Sequence, residues 1–409
     1  MYIFNSLVLK IASRCNLNCS YCFMYNLGDD SYKNQPKFMS EDTIDAVIEK
    51  AKLYIIKNKL TTFNFLFHGG EPLLMEKKRF KEMLQKLKAI EGIVKGLKVS
   101  FSIQTNGILL DEEWCMLLLE NEVEIGISID STEESHDKYR VDHKGNGSYT
   151  AVKKAIDLVK EITKRADVIT VMDVDENPDK VYKSLKSLNV DSVNFLIKDF
   201  THANFPYKDA LDYNQPYADF LIRLFDLWFD DKEKIDIPLF VGYINVILGF
   251  ANFDDINSNE LKSLVIETNG EIEPIDSLKA CGQEFTKTNI TIKNNVLEEV
   301  FNSSVANLYF NESMKVCDQC NQCPIFEICL GGRLVHRYNK NNGFDNPSVY
   351  CEDLVKFISH IQNKMLDVFP DIEENEIERL NYKEILAFNK ANTFSKLENE
   401  NLKLYKKAI

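Results

Sequence analysis

The chain of 409 residues contains no apolar run near the ~20 residues that span a bilayer, which excludes a transmembrane helix. Its opening, Met1-Tyr2-Ile3-Phe4-Asn5, begins no signal peptide, so a cytoplasmic location and no membrane partner are expected. Basic side chains are in the minority. The 49 Lys and Arg against 63 Asp and Glu leave a net charge of −14, which opposes nonspecific binding to nucleic-acid phosphates. No solenoid-type repeat and no low-complexity segment is found. What is present is a globular composition, 44% hydrophobic and 11% aromatic, in a chain long enough for two or three domains.

The ten cysteines carry the most information. In a reducing compartment, clustered cysteines are more often metal ligands than disulfides. Cys15, Cys19 and Cys22 are spaced C-x3-C-x2-C, with no histidine among them. A structural zinc site takes four ligands, commonly from two pairs. Three thiolates can instead hold three irons of a [4Fe–4S] cluster and leave the fourth iron open to a small molecule. Cys317, Cys320, Cys323, Cys329 and Cys351 form a late group. Cys115 lies in an apolar helical stretch and reads as core, and Cys281 reads as unliganded.

Six β-rich segments, Leu7–Ala12, Phe63–His68, Lys98–Thr105, Val123–Asp130, Asp167–Asp173 and Ser192–Lys198, alternate with amphipathic stretches. Helices are expected over Ser40–Lys59, Lys77–Ile90, Asp111–Glu120, Ser148–Arg165 and Asn177–Ser187. The strands read as covered on both faces. A βαβαβα order predicts parallel strands with right-handed crossovers, in an open α/β sheet or a partial barrel. Ligands collect at the carboxyl ends of such strands. The cysteine triplet, Gly69-Gly70-Glu71-Pro72 and Asn106-Gly107 follow the first three strands there. Beyond Thr201, Tyr217, Phe220, Leu221, Leu224, Phe225 and Trp228 recur at helical spacing and read as core.

Cys15-Asn16-Leu17-Asn18-Cys19-Ser20-Tyr21-Cys22-Phe23 resembles the cluster loop of radical S-adenosylmethionine (SAM) enzymes, and Gly69-Gly70-Glu71-Pro72 resembles their second motif. The resemblance covers about Leu7 to Lys198 and implies an α/β fold, a partial (β/α)6 TIM-type barrel. It also implies a [4Fe–4S] cluster whose open iron is chelated by SAM, and a 5′-deoxyadenosyl radical that takes a hydrogen atom from substrate. By this resemblance Glu71 meets the SAM amine beside Gly69 and Gly70, and Tyr21, Phe23 and Asn106 belong to the cofactor site. Ser128 and Arg140 look like the pair that binds SAM's carboxylate in sulfatase-maturing relatives.

The later cysteines resemble a SPASM module, the C-terminal iron–sulfur extension of peptide-modifying members. Cys320-x2-Cys323-x5-Cys329 followed by Cys351 matches the ligands of one auxiliary [4Fe–4S] cluster, with Cys317 as a spare. A set of four cysteines also suits zinc. The ligands of a second auxiliary cluster depart from the pattern, with Ile275 and Arg333 where cysteines are expected. Cys329-Leu330-Gly331-Gly332-Arg333 and Gly343-Phe344-Asp345-Asn346-Pro347 resemble maturases that form cyclophanes in ribosomal peptides. His336 and Arg337 read as structural. Asp276 matches the aspartate that deprotonates substrate in sulfatase-maturing relatives, and a ring coupling also needs a base. A turn aspartate before Ser277 is the plain alternative.

The expectation is a radical SAM/SPASM enzyme that acts on a ribosomal precursor peptide and joins an aromatic side chain to a neighbouring β-carbon. A flavodoxin or ferredoxin would donate electrons, and no nucleic acid would take part. The alternatives are a thioether-forming, epimerising or sulfatase-maturing relative and, in another class, a non-catalytic iron–sulfur sensor. Four segments are expected: a barrel over 1–200, aromatic-rich bridging helices over 201–263, the cluster module over 264–370 and a charged helical tail over 371–409. With the first strand at Leu7, no N-terminal leader-binding domain is expected.

Overall fold

The structure is a computed structural model describing residues 3–207, 213–250, 263–312, 315–369 and 378–391. The described residues fall into two compact units. One gathers 1–171, 185–196 and 261–309; the other gathers 172–184, 197–260 and 310–409.

The first unit is built on an eight-stranded sheet ordered β6-β5-β4-β3-β2-β1-β7-β8. Its strands are β1 (Ser6–Ala12), β2 (Thr62–Gly69), β3 (Lys98–Thr105), β4 (Val123–Ser128), β5 (Asp167–Val171), β6 (Ser192–Leu196), β7 (Ser263–Ile266) and β8 (Ile272–Glu273). All pairings are parallel except β7 with β8. Between the strands in sequence come α1 (Glu41–Asn58), α2 (Lys77–Lys88), α3 (Glu112–Glu120), α4 (Glu133–Tyr139), α5 (Tyr149–Thr163) and α6 (Pro178–Ser187), of which α6 belongs to the other unit as far as residue 184. Local chemistry sets their starts: Ser40 caps α1 through Thr43 N, and Asp111 caps α3 through Trp114 N.

Strands β2 to β5 alternate instead of being covered on both faces, whereas β1 is buried continuously from Leu9 to Ala12. On β2, Phe63, Phe65 and Phe67 are buried while Asn64, Leu66 and His68 are half-buried. Phe67 packs on Phe80 of α2 at 4.9 Å, and Phe80 on Trp114 of α3 at 5.4 Å, so the phenylalanine face lies under the helices. The opposite face carries polar groups: Ser6, Asn64 and Ser102 hydrogen-bond across three strands. A sheet with one polar, partly open face leaves room for a ligand there, which continuous apolar packing would fill.

Two strands were not expected. β7 pairs in parallel with β1, Leu7 opposite Leu264, and Thr268 Oγ1 donates to the Lys10 carbonyl at 2.9 Å. These bonds bring residues 263–309 to the sheet, so the compact units divide the chain differently from the expected boundaries at 200 and 263.

The second unit contains α7 (Pro216–Asp230), α8 (Pro238–Ile247), α9 (Cys351–Val368) and α10 (Tyr382–Ala391). Every residue of the aromatic stripe on α7 is buried, and Phe225 meets Phe240 of α8 at 5.3 Å, as core packing requires. Of the expected helical tail over 371–409, residues 378–391 are described and hold α10 after four non-helical residues; the rest falls outside the described residues. Among the described residues no helix is long and apolar enough to cross a membrane.

Candidate functional site

The loop after β1 holds Cys15, Cys19 and Cys22, all free and partly exposed. Its backbone is tied down: Asn18 N donates to Val141 O and Ser20 N to Tyr139 O, while Cys22 N donates to Cys19 O at 3.0 Å. Cys15 Sγ accepts from Leu17 N at 3.4 Å and from Asn106 Nδ2 at 3.7 Å. Burial pushes the Cys15 thiol up to about 12 and the Cys22 thiol up to about 11, and raises Cys19 too. Such thiols give up their protons readily only to a metal. Three thiols on one pinned loop, with N–H donors aimed at sulfur, fit a [4Fe–4S] cluster held by three cysteines.

The loop after β2 explains its glycines by contact. A Cβ on Gly69 would meet the Ala12 carbonyl oxygen at 2.1 Å, and one on Gly70 would meet Arg14 O at 2.3 Å. Both glycines therefore let the cysteine loop lie against β2. Glu71 is fully buried. Its carboxylate accepts from Leu73 N at 3.0 Å, Thr105 Oγ1 at 2.7 Å and Asn106 N at 2.8 Å. Burial pushes it up to about 7 against those donors. Glu71 thus joins the loops after β2 and β3, and Asn106 continues the chain of contacts to Asn16 Oδ1 at 2.7 Å.

A Glu71→Gln exchange keeps the shape but turns an N–H₂ toward one of the three donors. Leaving a buried donor unsatisfied costs about 1–3 kcal/mol. The melting temperature should fall and SAM affinity should weaken. An unchanged melting curve would remove Glu71 from this linking role.

Arg140, at the end of α4, is buried with Nε 3.2 Å from Asp130 Oδ2, and its guanidinium lies 5.5 Å from the Tyr21 ring centre. Tyr21 Oη donates to the same Asp130 oxygen at 2.6 Å, and Val171 N donates to the other at 3.0 Å. Cys19 feels this group: its burial raises the thiol, and the Arg140 charge partly offsets that. Ser128 Oγ accepts from Gln104 Nε2 at 2.9 Å, and no hydrogen bond joins it to Arg140 among the described residues. Sequence reading missed Asp130, whose signal was an acid at the carboxyl end of β4.

It also missed Lys10, the charged residue within an otherwise apolar strand. Lys10 is fully buried, opposite His68 in the β1–β2 register. Its Nζ donates to Asp276 Oδ2 at 2.5 Å, lies 3.2 Å from His68 Nδ1 and 3.5 Å from Met24 Sδ, and sits 5.6 Å from the Phe23 ring centre. Burial alone would raise Asp276; Lys10 and His68 outweigh it and hold the carboxyl near about 2. Burial and Lys10 push His68 down to about 3. Asp276 and His68 both keep exposed surface, while Lys10 has none.

Behind Asp276 lies a buried charge cluster. Lys279 Nζ is 2.9 Å from Glu273, 3.1 Å from Glu267 and 3.8 Å from Asp29, and it donates to Thr286 Oγ1 at 3.1 Å. Burial works against Glu267, yet Lys279 and Lys10 hold it below the usual range. Burial and the Glu267 charge push Glu273 up to about 8.

In the second unit, Cys320, Cys323, Cys329 and Cys351 line one pocket with Gly331 and Asn389. Asn389 Nδ2 reaches Cys323 Sγ at 3.4 Å, Gln319 Nε2 reaches Cys351 Sγ at 3.6 Å, and Cys317 Sγ touches Cys320 Sγ at 3.6 Å. Among the described residues no three Cys, His, Asp or Glu converge on a point that would hold one metal ion. Four thiols around one pocket with amide donors beside them fit a [4Fe–4S] cluster, and a set of four cysteines also suits zinc. Arg333 is paired with Asp199 at 2.8 Å, and Arg337 donates to Lys315 O at 2.8 Å, so both serve structure. Cys115 and Cys281 are buried.

Residues 9–188, which carry the parallel strands and the three-cysteine loop after β1, match the model of the Radical SAM superfamily. SAM and [4Fe–4S] clusters are its cofactors. The chain is similar to the cysteine-type anaerobic sulfatase-maturating enzyme of Clostridium perfringens, 26% identical over 90% of this chain and 99% of the relative. The solved structure of native anSMEcpe with bound AdoMet and Cp18Cys peptide matches with a TM-score of 0.73 at 26% identity, covering 90% of this chain and 99% of that one. Streptococcus suis SuiB bound to precursor peptide SuiA shares the fold, with a TM-score of 0.57 at 17% identity over 86% of this chain and 76% of that one.

Proposed function

We propose that this chain modifies a ribosomally made peptide by hydrogen-atom abstraction, closing a C–C cyclophane between an aromatic ring carbon and a neighbouring β-carbon. Cys15, Cys19 and Cys22 hold the cluster with the open iron. Tyr21, Phe23, Gly69, Gly70, Glu71, Asn106, Ser128 and Arg140 shape the SAM site around it. SAM bound there supplies the 5′-deoxyadenosyl radical. Cys320, Cys323, Cys329 and Cys351 hold one auxiliary cluster, with Cys317 in contact range as a replacement ligand. A flavodoxin or ferredoxin donates the electrons.

One observation carries the reading: Asp276 is an ionised carboxylate with 22% side-chain exposure, linked through Lys10 to Phe23 and Met24 of the cysteine loop. Coupling removes one hydrogen atom, one electron and one proton: the hydrogen atom would go to the 5′-deoxyadenosyl radical, the electron to the auxiliary cluster held by Cys320, Cys323, Cys329 and Cys351, and the proton to Asp276. A second reading, formation of a sulfatase's formylglycine, is favoured by the full-length likeness to the sulfatase-maturating enzymes. Ile275 and Arg333 at the second auxiliary site weigh against it, Arg333 being tied to Asp199.

The test pairs the enzyme with peptides encoded beside its gene. Wild type should give deoxyadenosine and a two-hydrogen mass loss that resists aldehyde reagents, whereas an aldehyde-reactive product would establish the second reading. Asp276→Asn should keep deoxyadenosine formation and lose about 100-fold or more of the product rate, the usual effect of removing a general base. Near-normal product from this variant would return Asp276 to an ordinary turn residue.

A further inference from the structure

We propose that Lys10 is the positioning residue of the product-forming site: it aims Asp276 and fixes the tautomer of His68, so the two present a proton acceptor and a hydrogen-bond donor side by side. The inference rests on the reading of Asp276 given above. An ammonium has three N–H donors. Those of Lys10 are spent on Asp276 Oδ2, His68 Nδ1 and Met24 Sδ, and the side chain is fully buried. Lys10 therefore has no donor left for a substrate.

The consequence falls on its neighbours. Because the ammonium can only donate, His68 Nδ1 must accept, which places the ring proton on Nε2. Among the described residues neither His68 Nε2 nor Asp276 Oδ1 takes part in a hydrogen bond, and both side chains keep exposed surface. An N–H donor beside a free carboxylate oxygen suits this coupling: His68 can hold a carbonyl of the substrate while Asp276 takes the proton that leaves the ring carbon. The charged and titratable groups facing Asp276 are Lys10 on β1, His68 on β2, Glu267 after β7 and Lys279 of the following turn. Lys10 and His68 are the groups that hold it down most, and among the described residues Lys10 alone hydrogen-bonds to its carboxylate.

Lys10→Met and Lys10→Arg in the reconstituted holoenzyme test this. Lys10→Met should keep uncoupled deoxyadenosine formation and lose about 100-fold of product rate at neutral pH. Its residual product formation should also acquire an acid limb above pH 5, since a buried carboxyl without its cation titrates upward. Wild type should be flat there, and Lys10→Arg should restore the flat profile. A merely structural lysine would lower both signals together and add no limb. Deoxyadenosine with no peptide product from wild type would fail the reading of the function, not this inference. A thermal double-variant cycle of Lys10→Met with Asp276→Asn then decides it without substrate. Non-additive losses support the pair; additive losses, or a flat profile in Lys10→Met, overturn it.

Discussion

Protein with Cys15, Cys19 and Cys22 all changed to Ala, reconstituted anaerobically, should hold about four of the about eight irons of wild type and cleave no SAM. The three thiols sit on one loop whose backbone is bonded to the segment around Tyr139 and Val141, so removing the sulfurs leaves those backbone-to-backbone hydrogen bonds intact. On the proposed ligand sets, the remaining irons would be those held by Cys320, Cys323, Cys329 and Cys351, which line one pocket of the other unit. Iron analysis with the cluster's visible absorption reads the first quantity, and chromatography of deoxyadenosine the second. Retained cleavage would sink the ligand assignment; an unchanged count would mean these thiols hold no cluster.

The largest loss of stability should come from Lys279→Met. Lys279 is the cation among Glu267, Glu273 and Asp29, all nearly inaccessible to water. Removing one partner of a buried ion pair typically costs about 3–5 kcal/mol, because the uncompensated charge stays buried. Glu273, already pushed up by burial, would keep its proton, and Glu267 would be left unpaired beside Asp276. Denaturant unfolding of the holoenzyme should show the whole loss, and Lys279→Met with Glu267→Gln should recover part of it. A loss within about 0.5 kcal/mol, as for an ordinary surface change, would show that the cluster contributes no net stabilisation.

Periodicity made much of the fold legible. The first six strands and five of the helices fall within a few residues of their expected bounds, and the α7 stripe and Cys115 are core as read. Motif spacing likewise located the cysteine loop and Gly69-Gly70-Glu71. What could not be read locally were partnerships. Lys10 looks like a break in an apolar strand until β2 sets His68 opposite it and the turn after β8 brings Asp276. Arg140 was expected to await a carboxylate from SAM, and the fold also supplies one, from Asp130. Four-residue β7 carries no pattern strong enough to name its neighbour; that choice is made by the exposed edge of β1.

That edge has a consequence for how the protein is made. The strand leading into the cysteine loop is synthesised long before its second neighbour, β7, which follows both α7 and α8 in the chain. Until Ile266 emerges, one side of β1 presents unpaired peptide groups, a state prone to pairing with other chains. Assembly of the sheet therefore spans the synthesis of elements belonging to the other unit. A chain stopped before β7 would carry Cys15, Cys19 and Cys22 on the loop that follows a strand still open along one edge.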